Sequence, residues 1–268
     1  MSWHDDIRHQ LVNNLSHEQD NPVQQLNNAL RLLSKHRSIL VQNTLIQQQG
    51  LTVHQGPFAG LEFIERSSEG CHIAKLLGCY EQPLHEYLYK VITTDYDAIV
   101  NIGCAEGYYA VGLARKMPKT QVYAYDLNTA AIDACRNLAQ KNGVADRVIV
   151  KQKFEPITFK KFINKKTLIL CDIEGAEEHL LDPMISPELI HMDILVEAHD
   201  DLKTDISKTL KNRFSDTHNI KLIKDNGQRN LKDMPNWFFN LAHLDQLLAV
   251  WEWRSGPTPW LIMSPMVR

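Results

Sequence analysis

Two apolar runs of the sequence are followed directly by residues that can accept protons. The run TLILC is followed by Asp172 and Glu174, and the run DILV is followed by Glu197 and His199. Residues two apart on a strand point to the same face, so Glu197 and His199 are expected to share one. Because histidine titrates near neutral pH, this set suits general-base catalysis on a hydroxyl group.

Each of these residues also has a simpler interpretation. Asp172 could cap a following helix, and His199 could be hydrogen-bonded in a loop. Asp172, Glu197 and His199 could together bind a divalent cation, but nothing in the sequence fixes their geometry, and we predict no resident metal. Cys171 is adjacent to Asp172 on the predicted strand and therefore faces the opposite, packed side, which argues against a catalytic thiol.

A glycine turn follows an earlier apolar run, in the stretch DAIVNIGCAEGYYAVGLAR. A dinucleotide site needs closely spaced glycines, but Ala105 and Tyr108 occupy two of the required positions beside Gly103 and Gly107. A nicotinamide-dependent dehydrogenase is therefore not expected. The spacing is similar to that of the turn with which class I methyltransferases hold S-adenosylmethionine, although Asn101 replaces the usual acid and Ala105 the middle glycine.

An acidic residue, Asp126, ends the next apolar run, QVYAYD. A carboxylate at this spacing from the turn can accept hydrogen bonds from both ribose hydroxyls, although Asp126 could instead cap the next helix. In the methyltransferases that the turn resembles, the residues after the third run flank adenine and the segment before the turn borders the methionine end. The predicted cofactor-binding residues are Tyr80, Glu81, Asn101, Gly103, Ala105, Glu106, Gly107, Asp126, Leu127, Phe154, Glu155 and Asp172. The predicted catalytic residues are Asp172, Glu174, Glu197 and His199.

The order of these motifs resembles that of the FkbM-type methyltransferase family. The string Asp-x-Glu-Gly-x-Glu after TLILC, the later Glu-x-His, and the segment LLGCYEQPL before the turn carry the resemblance, which covers residues 75–200. It implies a seven-stranded class I methyltransferase fold, S-adenosylmethionine as cofactor, and methyl transfer to oxygen. Only this resemblance supports a functional role for Glu174 and Glu177. For Glu178 a structural role is favoured, because the first turn of a helix favours negative charge.

Apolar strands alternate with helical segments from residue 97 onward. This alternation predicts an α/β domain whose mostly parallel, Rossmann-like sheet is covered by helices on both faces. Strands are predicted at 97–102, 121–126, 147–152, 167–172, 193–198, 219–224 and 259–263. Helices are predicted at 107–116, 128–142, 174–182, 203–213 and 240–253.

The chain divides in this interpretation into an N-terminal extension, residues 1–90, and a methyltransferase domain, residues 91–268. A long amphipathic helix is predicted between Pro22 and Gly50, as a packing extension, a dimer element or a partner-binding surface. Turn glycines between β-prone runs predict a β-hairpin over 53–64. The tryptophan-rich stretch 225–258 is expected to lie over the sheet edge or the site.

The composition restricts the partners. Lys and Arg number 29 against 32 Asp and Glu, for a net charge of −3, which gives no global attraction to nucleic acid or anionic membranes. The apolar runs are too short to span a bilayer, and no secretory signal is expected. The five scattered cysteines, without a CxxC pair, suggest reduced thiols in a cytoplasmic protein. A small-molecule substrate and a homodimer are the expected associations.

Methyl transfer from S-adenosylmethionine to an oxygen of a small-molecule or sugar-containing acceptor is the leading functional prediction. A nucleic-acid methyltransferase is one alternative, but its Asn/Asp-Pro-Pro-aromatic turn is missing from CDIEGAE. A non-catalytic cofactor-binding or scaffold protein, with a partner-binding N-terminal helix, is another, because Asn101 and Ala105 depart from the common turn.

Overall fold

The protein is described by a computed structural model over residues 3–16, 21–68, 70–200, 205–232, 234–254, 256 and 258–266. Its strands are β1 (Ala98–Ile102), β2 (Gln121–Tyr125), β3 (Val148–Lys151), β4 (Thr167–Cys171), β5 (Asp193–Glu197), β6 (His218–Ile223) and β7 (Trp260–Pro265). They form one seven-stranded sheet in the order β3-β2-β1-β4-β5-β7-β6. Only β7 runs antiparallel to its neighbours, so the predicted mostly parallel, seven-stranded sheet is confirmed.

Ten α-helices occur within the described residues. They are α1 (Trp3–Ser16), α2 (Pro22–Gln49), α3 (His72–Leu77), α4 (His85–Ile92), α5 (Tyr108–Lys116), α6 (Thr129–Lys141), α7 (Glu177–Leu180), α8 (Ile206–Phe214), α9 (Asn236–Phe239) and α10 (His243–Val250). Short 3₁₀ helices lie at Gln82–Leu84, Pro156–Phe162 and Pro187–His191.

The central strands are apolar along their whole length because both of their faces are covered. Every residue of β1, β4 and β5 is buried. Alternate side chains of β1 enter different cores, with Ile99 in one and Ala98 and Val100 in the other. The first core contains α3 to α6 residues such as Tyr108, and the second contains Phe214 of α8. Helices therefore cover both faces, as predicted.

The register of the parallel strands brings the candidate residues to one edge. The last residues of β1, β2 and β4 lie side by side across the sheet. The residues that follow these strands, Gly103, Asp126 and Asp172, consequently share the carboxyl edge, where open α/β sheets bind their ligands.

The predicted β-hairpin over 53–64 occurs as a short antiparallel pairing without regular strands. One β-bridge joins Thr52 and Glu62, and the Val53 and Phe63 N–H groups donate to the Leu61 and Leu51 carbonyls. The segment also packs against the α3 region, since the His54 N–H donates to the Leu76 carbonyl and a Cβ at Gly56 would lie 2.3 Å from the Gly78 carbonyl oxygen. Local pairing and tertiary packing thus act together.

The long helix α2 occurs where it was predicted, but its leucine stripe is not buried throughout. Leu26 and Leu30 are 63% and 65% exposed, whereas Val41 and Leu45 are buried. The C-terminal half of α2 packs on α3 and α10, and the N-terminal half contacts α1, none of whose residues is buried.

Two helices are shorter than predicted. The helix expected at 174–182 is reduced to α7, because Glu174 and Gly175 have φ values of +52° and +98°. The helix expected at 240–253 ends with α10, and the chain turns at Trp253, whose φ is +65°. The predicted start of the helix at 203–213 lies outside the described residues, and α8 begins at Ile206.

All five cysteines are free and buried. Cys171 is fully buried in the second core, on the side of the sheet where it was predicted. No helix among the described residues has the length and apolarity needed to cross a membrane.

Candidate functional site

A cavity of about 430 Å³ opens at the carboxyl edge formed by β1, β2 and β4. Pockets of this size are typical of small-molecule and cofactor sites. The predicted residues that line it are Gly103, Asp126, Leu127, Phe154, Asp172 and Glu174. Sequence reasoning missed Gln152 and Lys153, which also line it. Their position directly after β3 is a signal that could have revealed them.

Asp126 connects the glycine turn to the end of β2. Its Oδ2 accepts a hydrogen bond from the Ala105 N–H at 2.8 Å, and its Oδ1 accepts one from the Asn128 N–H at 2.8 Å. The alternative role of Asp126 as a helix cap is wrong, because the side chain of Asn128 caps α6 by accepting from the Ala130 N–H. Asp126 is thereby fixed at the cavity wall.

The turn itself runs through three residues with positive φ. Gly103, Ala105 and Gly107 have φ values of +78°, +46° and +93°. A Cβ on Gly103 would lie only 1.6 Å from the Asp172 carbonyl oxygen, so the chain needs glycine where β1 passes closest to the end of β4. Ala105 occupies a left-handed conformation that glycine adopts with less strain. Ala105 and Gly107 shape the turn without lining the cavity.

Aromatic side chains form part of the cavity wall. The ring of Phe154 packs edge-on against Tyr125 and Phe159, at centroid distances of 4.9 and 4.8 Å. Leu127 beside it is 72% exposed. Glu155, a predicted cofactor residue, instead pairs with Lys153 at 2.9 Å on the surface and does not line the cavity. Glu155 thus forms a surface ion pair, and its role in cofactor binding stays a prediction.

Four other predicted cofactor residues do not line the cavity. Glu106 is fully buried, forms an ion pair with Lys75 and accepts a hydrogen bond from the Ser68 N–H, so its role here is structural. Tyr80 lies over the same lysine. Asn101 is buried, and neither of its side-chain polar atoms has a hydrogen-bond partner in the described part of the chain.

Glu81, the fourth of these residues, belongs to a buried network centred on Arg254. The guanidinium of Arg254 donates to Glu81, Glu197 and Glu252. The Tyr109 hydroxyl donates to the other oxygen of Glu81. Burial raises the pKa of Glu81 to about 8, against the opposing effect of Arg254. The stretch 225–258 thus reaches over the carboxyl end of β5 through Arg254, which no pattern in the sequence signalled.

His199 lies at the centre of the predicted catalytic residues. Its Nε2 is 3.6 Å from Asp172 Oδ1, 3.4 Å from Glu174 Oε2 and 3.7 Å from Glu197 Oε2. Its Nδ1 is 2.8 Å from Glu177 Oε1. The structure therefore brings together all four predicted catalytic side chains. It adds Glu177 to them, for which only the family resemblance had suggested a role in the site.

The loop between β4 and α7 is organised by that same Glu177. Its Oε1 also accepts hydrogen bonds from the Ile173 and Gly175 N–H groups, both at 3.1 Å. The string Asp-x-Glu-Gly-x-Glu consequently folds around its own last carboxylate. That carboxylate holds His199 from β5 and so connects the ends of the two strands.

These surroundings shift the protonation equilibria of the cluster. Burial, together with the carboxylates of Glu197 and Glu81, raises the pKa of Asp172 well above its usual value. Burial lowers the pKa of His199, but the hydrogen bond to Glu177 and the nearby carboxylates outweigh it and hold this pKa above its usual value. Burial likewise raises the pKa of Glu177, yet the bonds from His199 and the backbone bring it below its usual value.

The family model of the methyltransferase small domain matches residues 85–164, less than a third of the chain. The matched segment contains β1, the glycine turn and Asp126. The mostly parallel seven-stranded sheet, covered by helices on both faces, is an α/β fold of the Rossmann-like kind. The match supports a methyltransferase that uses S-adenosylmethionine. It does not name the FkbM-type family, so that finer assignment stays a prediction. No curated protein matches the sequence.

Several solved structures resemble the chain at low identity. A protein from Klebsiella pneumoniae, provisionally described as an O-methyltransferase, is 12% identical with a TM-score of 0.48, over 97% of this chain and 96% of its own. An O-methyltransferase from Bacillus cereus, in complex with S-adenosylhomocysteine, is 11% identical with a TM-score of 0.44, over 96% and 98%. Precorrin-6y C5,15-methyltransferase from Geobacter metallireducens is 12% identical with a TM-score of 0.44, over 66% and 88%. At this level of identity, these likenesses assign no activity to the chain.

Proposed function

We propose that this protein transfers a methyl group from S-adenosylmethionine to a hydroxyl oxygen of a small-molecule or sugar-containing acceptor. The observation that carries the proposal is that a cavity able to hold a nucleoside lies next to a cluster of side chains able to accept a proton. The cavity beside Asp126 has the size and wall of a nucleoside site, and the cluster around His199 lies at its rim. The FkbM-type resemblance favours oxygen as the acceptor atom.

The residues of the cavity fit an adenosyl group. Each carboxylate oxygen of Asp126 accepts one backbone N–H, which leaves a further acceptor site on each oxygen for the ribose hydroxyls. Phe154 and Leu127 offer an apolar and aromatic surface to a purine ring. When bound, S-adenosylmethionine supplies a methyl group already activated by the positive charge on sulfur.

The chain must then align the acceptor and remove its proton. Asp172 lines the cavity, and His199 Nε2 lies 3.6 Å from Asp172 Oδ1. The two side chains can therefore hold a hydroxyl group at the rim of the cavity. His199 is fixed in orientation by Glu177, which limits the reorganisation needed when a hydroxyl group binds. Asp172, Glu174 and His199 therefore belong to the acceptor half of the site and Asp126 to the cofactor half.

Calorimetric titration with S-adenosylhomocysteine tests the cofactor half. We expect measurable binding to the wild type and at least about tenfold weaker binding, about 1.4 kcal/mol, to Asp126→Ala. Glu155→Ala is the matched control, since it removes an acid outside the cavity. Thermal melting shows whether Asp126→Ala keeps its fold. Equal affinity in the wild type and Asp126→Ala would remove the ribose assignment.

The acceptor half is tested separately. His199→Ala and Asp172→Asn should bind S-adenosylhomocysteine as the wild type does. They should release less of it from S-adenosylmethionine when a panel of sugars and polyols is offered as acceptors. If either folded variant loses cofactor binding, these residues belong to the cofactor half, and the division of the site is wrong.

A further inference from the structure

Three side chains at the rim of the cavity converge on a common point. One ligand atom each from Asp172, Glu174 and His199 lies within 4.8 Å of the others. The imidazole Nε2 is 3.6 Å from Asp172 Oδ1 and 3.4 Å from Glu174 Oε2, which is long for a hydrogen bond. Ligand atoms about 2.1 Å from a shared ion lie about 3.0–3.4 Å from one another, so the two separations measured from Nε2 are close to those in a coordination shell.

The imidazole of His199 is oriented as metal-binding histidines are. Glu177 Oε1 accepts from two backbone N–H groups and lies 2.8 Å from His199 Nδ1, which places the proton on Nδ1. Any proton on Nε2 leaves when a cation binds, and the lone pair of Nε2 then points toward Asp172 and Glu174. A carboxylate that holds the far nitrogen of a ligating histidine is the usual second contact of such sites, where it fixes the ring and its tautomer.

One proposed ligand atom of this cluster is buried without a hydrogen-bond partner in the described part of the chain. That atom is Asp172 Oδ1, which is shielded from solvent. The side chain of His199 is only 6% exposed, and its Nε2 faces three carboxylates at 3.4–3.7 Å. Buried polar atoms normally have partners, so Asp172 Oδ1 indicates a missing ligand beside Nε2.

The charge balance favours a cation as that ligand. Asp172, Glu174 and Glu177 carry carboxylates around one imidazole, and Glu197 adds another at 3.7 Å. Arg254 compensates Glu197, but its guanidinium is shared among Glu81, Glu197 and Glu252, and none of its ion pairs within the described residues reaches Asp172, Glu174 or Glu177. The sulfonium of the cofactor is a second source of positive charge, but a sulfonium does not use a nitrogen lone pair.

We propose that Asp172, Glu174 and His199 bind a first-row divalent cation, for which Mn²⁺ is the best match. A mixed set of two carboxylates and one imidazole suits Mn²⁺ or Zn²⁺, whereas Mg²⁺ and Ca²⁺ prefer oxygen alone. Three protein ligands leave coordination positions open. The inference rests on the proposed function in one respect, namely that the acceptor hydroxyl occupies an open position.

A hydroxyl group bound to such a cation loses its proton more readily. The proton passes to solvent beside Glu174, which is 67% exposed. The acceptor oxygen then forms its bond to the methyl carbon as the carbon–sulfur bond breaks, and the electron pair of that bond neutralises the sulfonium. In this arrangement His199 acts as a ligand.

Metal titration tests the site without measuring activity. The full-length chain is stripped with EDTA, freed of chelator, and titrated with MnCl₂ by calorimetry and by the electron paramagnetic resonance signal of free Mn²⁺. We expect one Mn²⁺ per chain, at least about tenfold weaker binding in Glu174→Gln, and loss of binding in His199→Ala. Because Glu174 is mostly exposed, Glu174→Gln should fold normally even if the buried variant does not.

The matched control is His179→Ala, which removes a histidine that lines the cavity outside the cluster. It should bind Mn²⁺ as the wild type does. Absence of Mn²⁺ and Zn²⁺ binding in the wild type, or equal affinity in the wild type and Glu174→Gln, overturns the cation site. A titration with S-adenosylhomocysteine separates the two proposals. Binding of this nucleoside without any cation binding leaves the proposed function standing, whereas cation binding without it removes the proposed function alone.

Discussion

The proposed cofactor half and the proposed acceptor half of the site are stabilised by different interactions. In the cofactor half, one carboxylate and a turn of unusual backbone conformation define a mostly apolar cavity. In the acceptor half, charged side chains from β4, β5 and the stretch 225–258 compensate one another in a buried cluster. The cofactor half therefore depends on how closely the turn can approach the neighbouring backbone. The acceptor half depends on how its charged side chains are paired.

The two halves meet where Gly103 passes the end of β4. The atom that Gly103 approaches is the carbonyl oxygen of Asp172. A substitution in the turn would therefore also displace Asp172 in the acceptor half. The comparison therefore predicts steric sensitivity in one half and electrostatic sensitivity, with pH dependence, in the other. The following substitutions test this difference.

The largest effect is expected for Gly103→Ala. Its Cβ would lie 1.6 Å from the Asp172 carbonyl oxygen, at a residue whose φ is +78°. We expect a loss of at least about 4 kcal/mol in the free energy of unfolding, because backbone must move against backbone. Urea denaturation measures it.

Gly143→Ala is the matched control for that variant. Its φ is +65°, but no heavy atom lies within 4 Å of the added Cβ, so only the conformational strain of about 1–2 kcal/mol should remain. Similar losses at both glycines would mean that the approach of β1 to β4 is not what requires glycine at 103.

A smaller but substantial effect is expected for Arg254→Met. Arg254 pairs with Glu81, Glu197 and Glu252, each of which has a side chain no more than 4% exposed. Removing the guanidinium leaves buried carboxylates uncompensated, which we expect to cost about 3 kcal/mol. In contrast, Arg136→Met should change stability by less than about 1 kcal/mol, because the side chains of Arg136 and its partner Asp133 are both more than half exposed.

The effect of Arg254→Met should also depend on pH. The pKa of Glu81 is raised from 4.5 to about 8, so the folded chain holds this proton more tightly than the unfolded chain and loses stability as pH rises between those values. Without Arg254 the pKa rises further, so the loss continues to higher pH than in the wild type. Unfolding at pH 5 and pH 8 should therefore show the larger deficit at pH 8, and a deficit that is larger at pH 5 would contradict the network.

The cofactor half was the more predictable from the sequence. The turn from Gly103 to Gly107 and the acid at Asp126 depend on spacing within one strand–turn–helix–strand unit, and the sheet register then places them together. That Glu106 and Glu155 lie outside the cavity could not be predicted, because spacing cannot show which way a side chain points. The buried partner Lys75 lies 31 residues before Glu106.

The acceptor half could be predicted only in part. Glu197 and His199 follow from strand alternation, but the contact of Glu177 with His199 requires the fold of two strands. Arg254 is 173 residues from Glu81 and lies in a stretch without regular periodicity. Charge pairing over such distances leaves no local pattern, so the sequence did not indicate what neutralises Glu81 and Glu197.

The smallest effect is expected for Glu177→Gln, which separates charge from shape within the acceptor half. The glutamine oxygen can still accept from the Ile173 and Gly175 N–H groups, so the loop should keep its conformation. What is lost is the charge beside His199, and we expect about 1.5 kcal/mol of destabilisation near neutral pH. The pKa of His199, followed by NMR, should fall. Since a raised histidine pKa stabilises the folded chain at low pH and this contribution is lost as pH rises through that pKa, the wild type should lose more stability than the variant across this interval. An unchanged pKa of His199 in Glu177→Gln would mean that the remaining carboxylates, and not Glu177, set the charge of the imidazole.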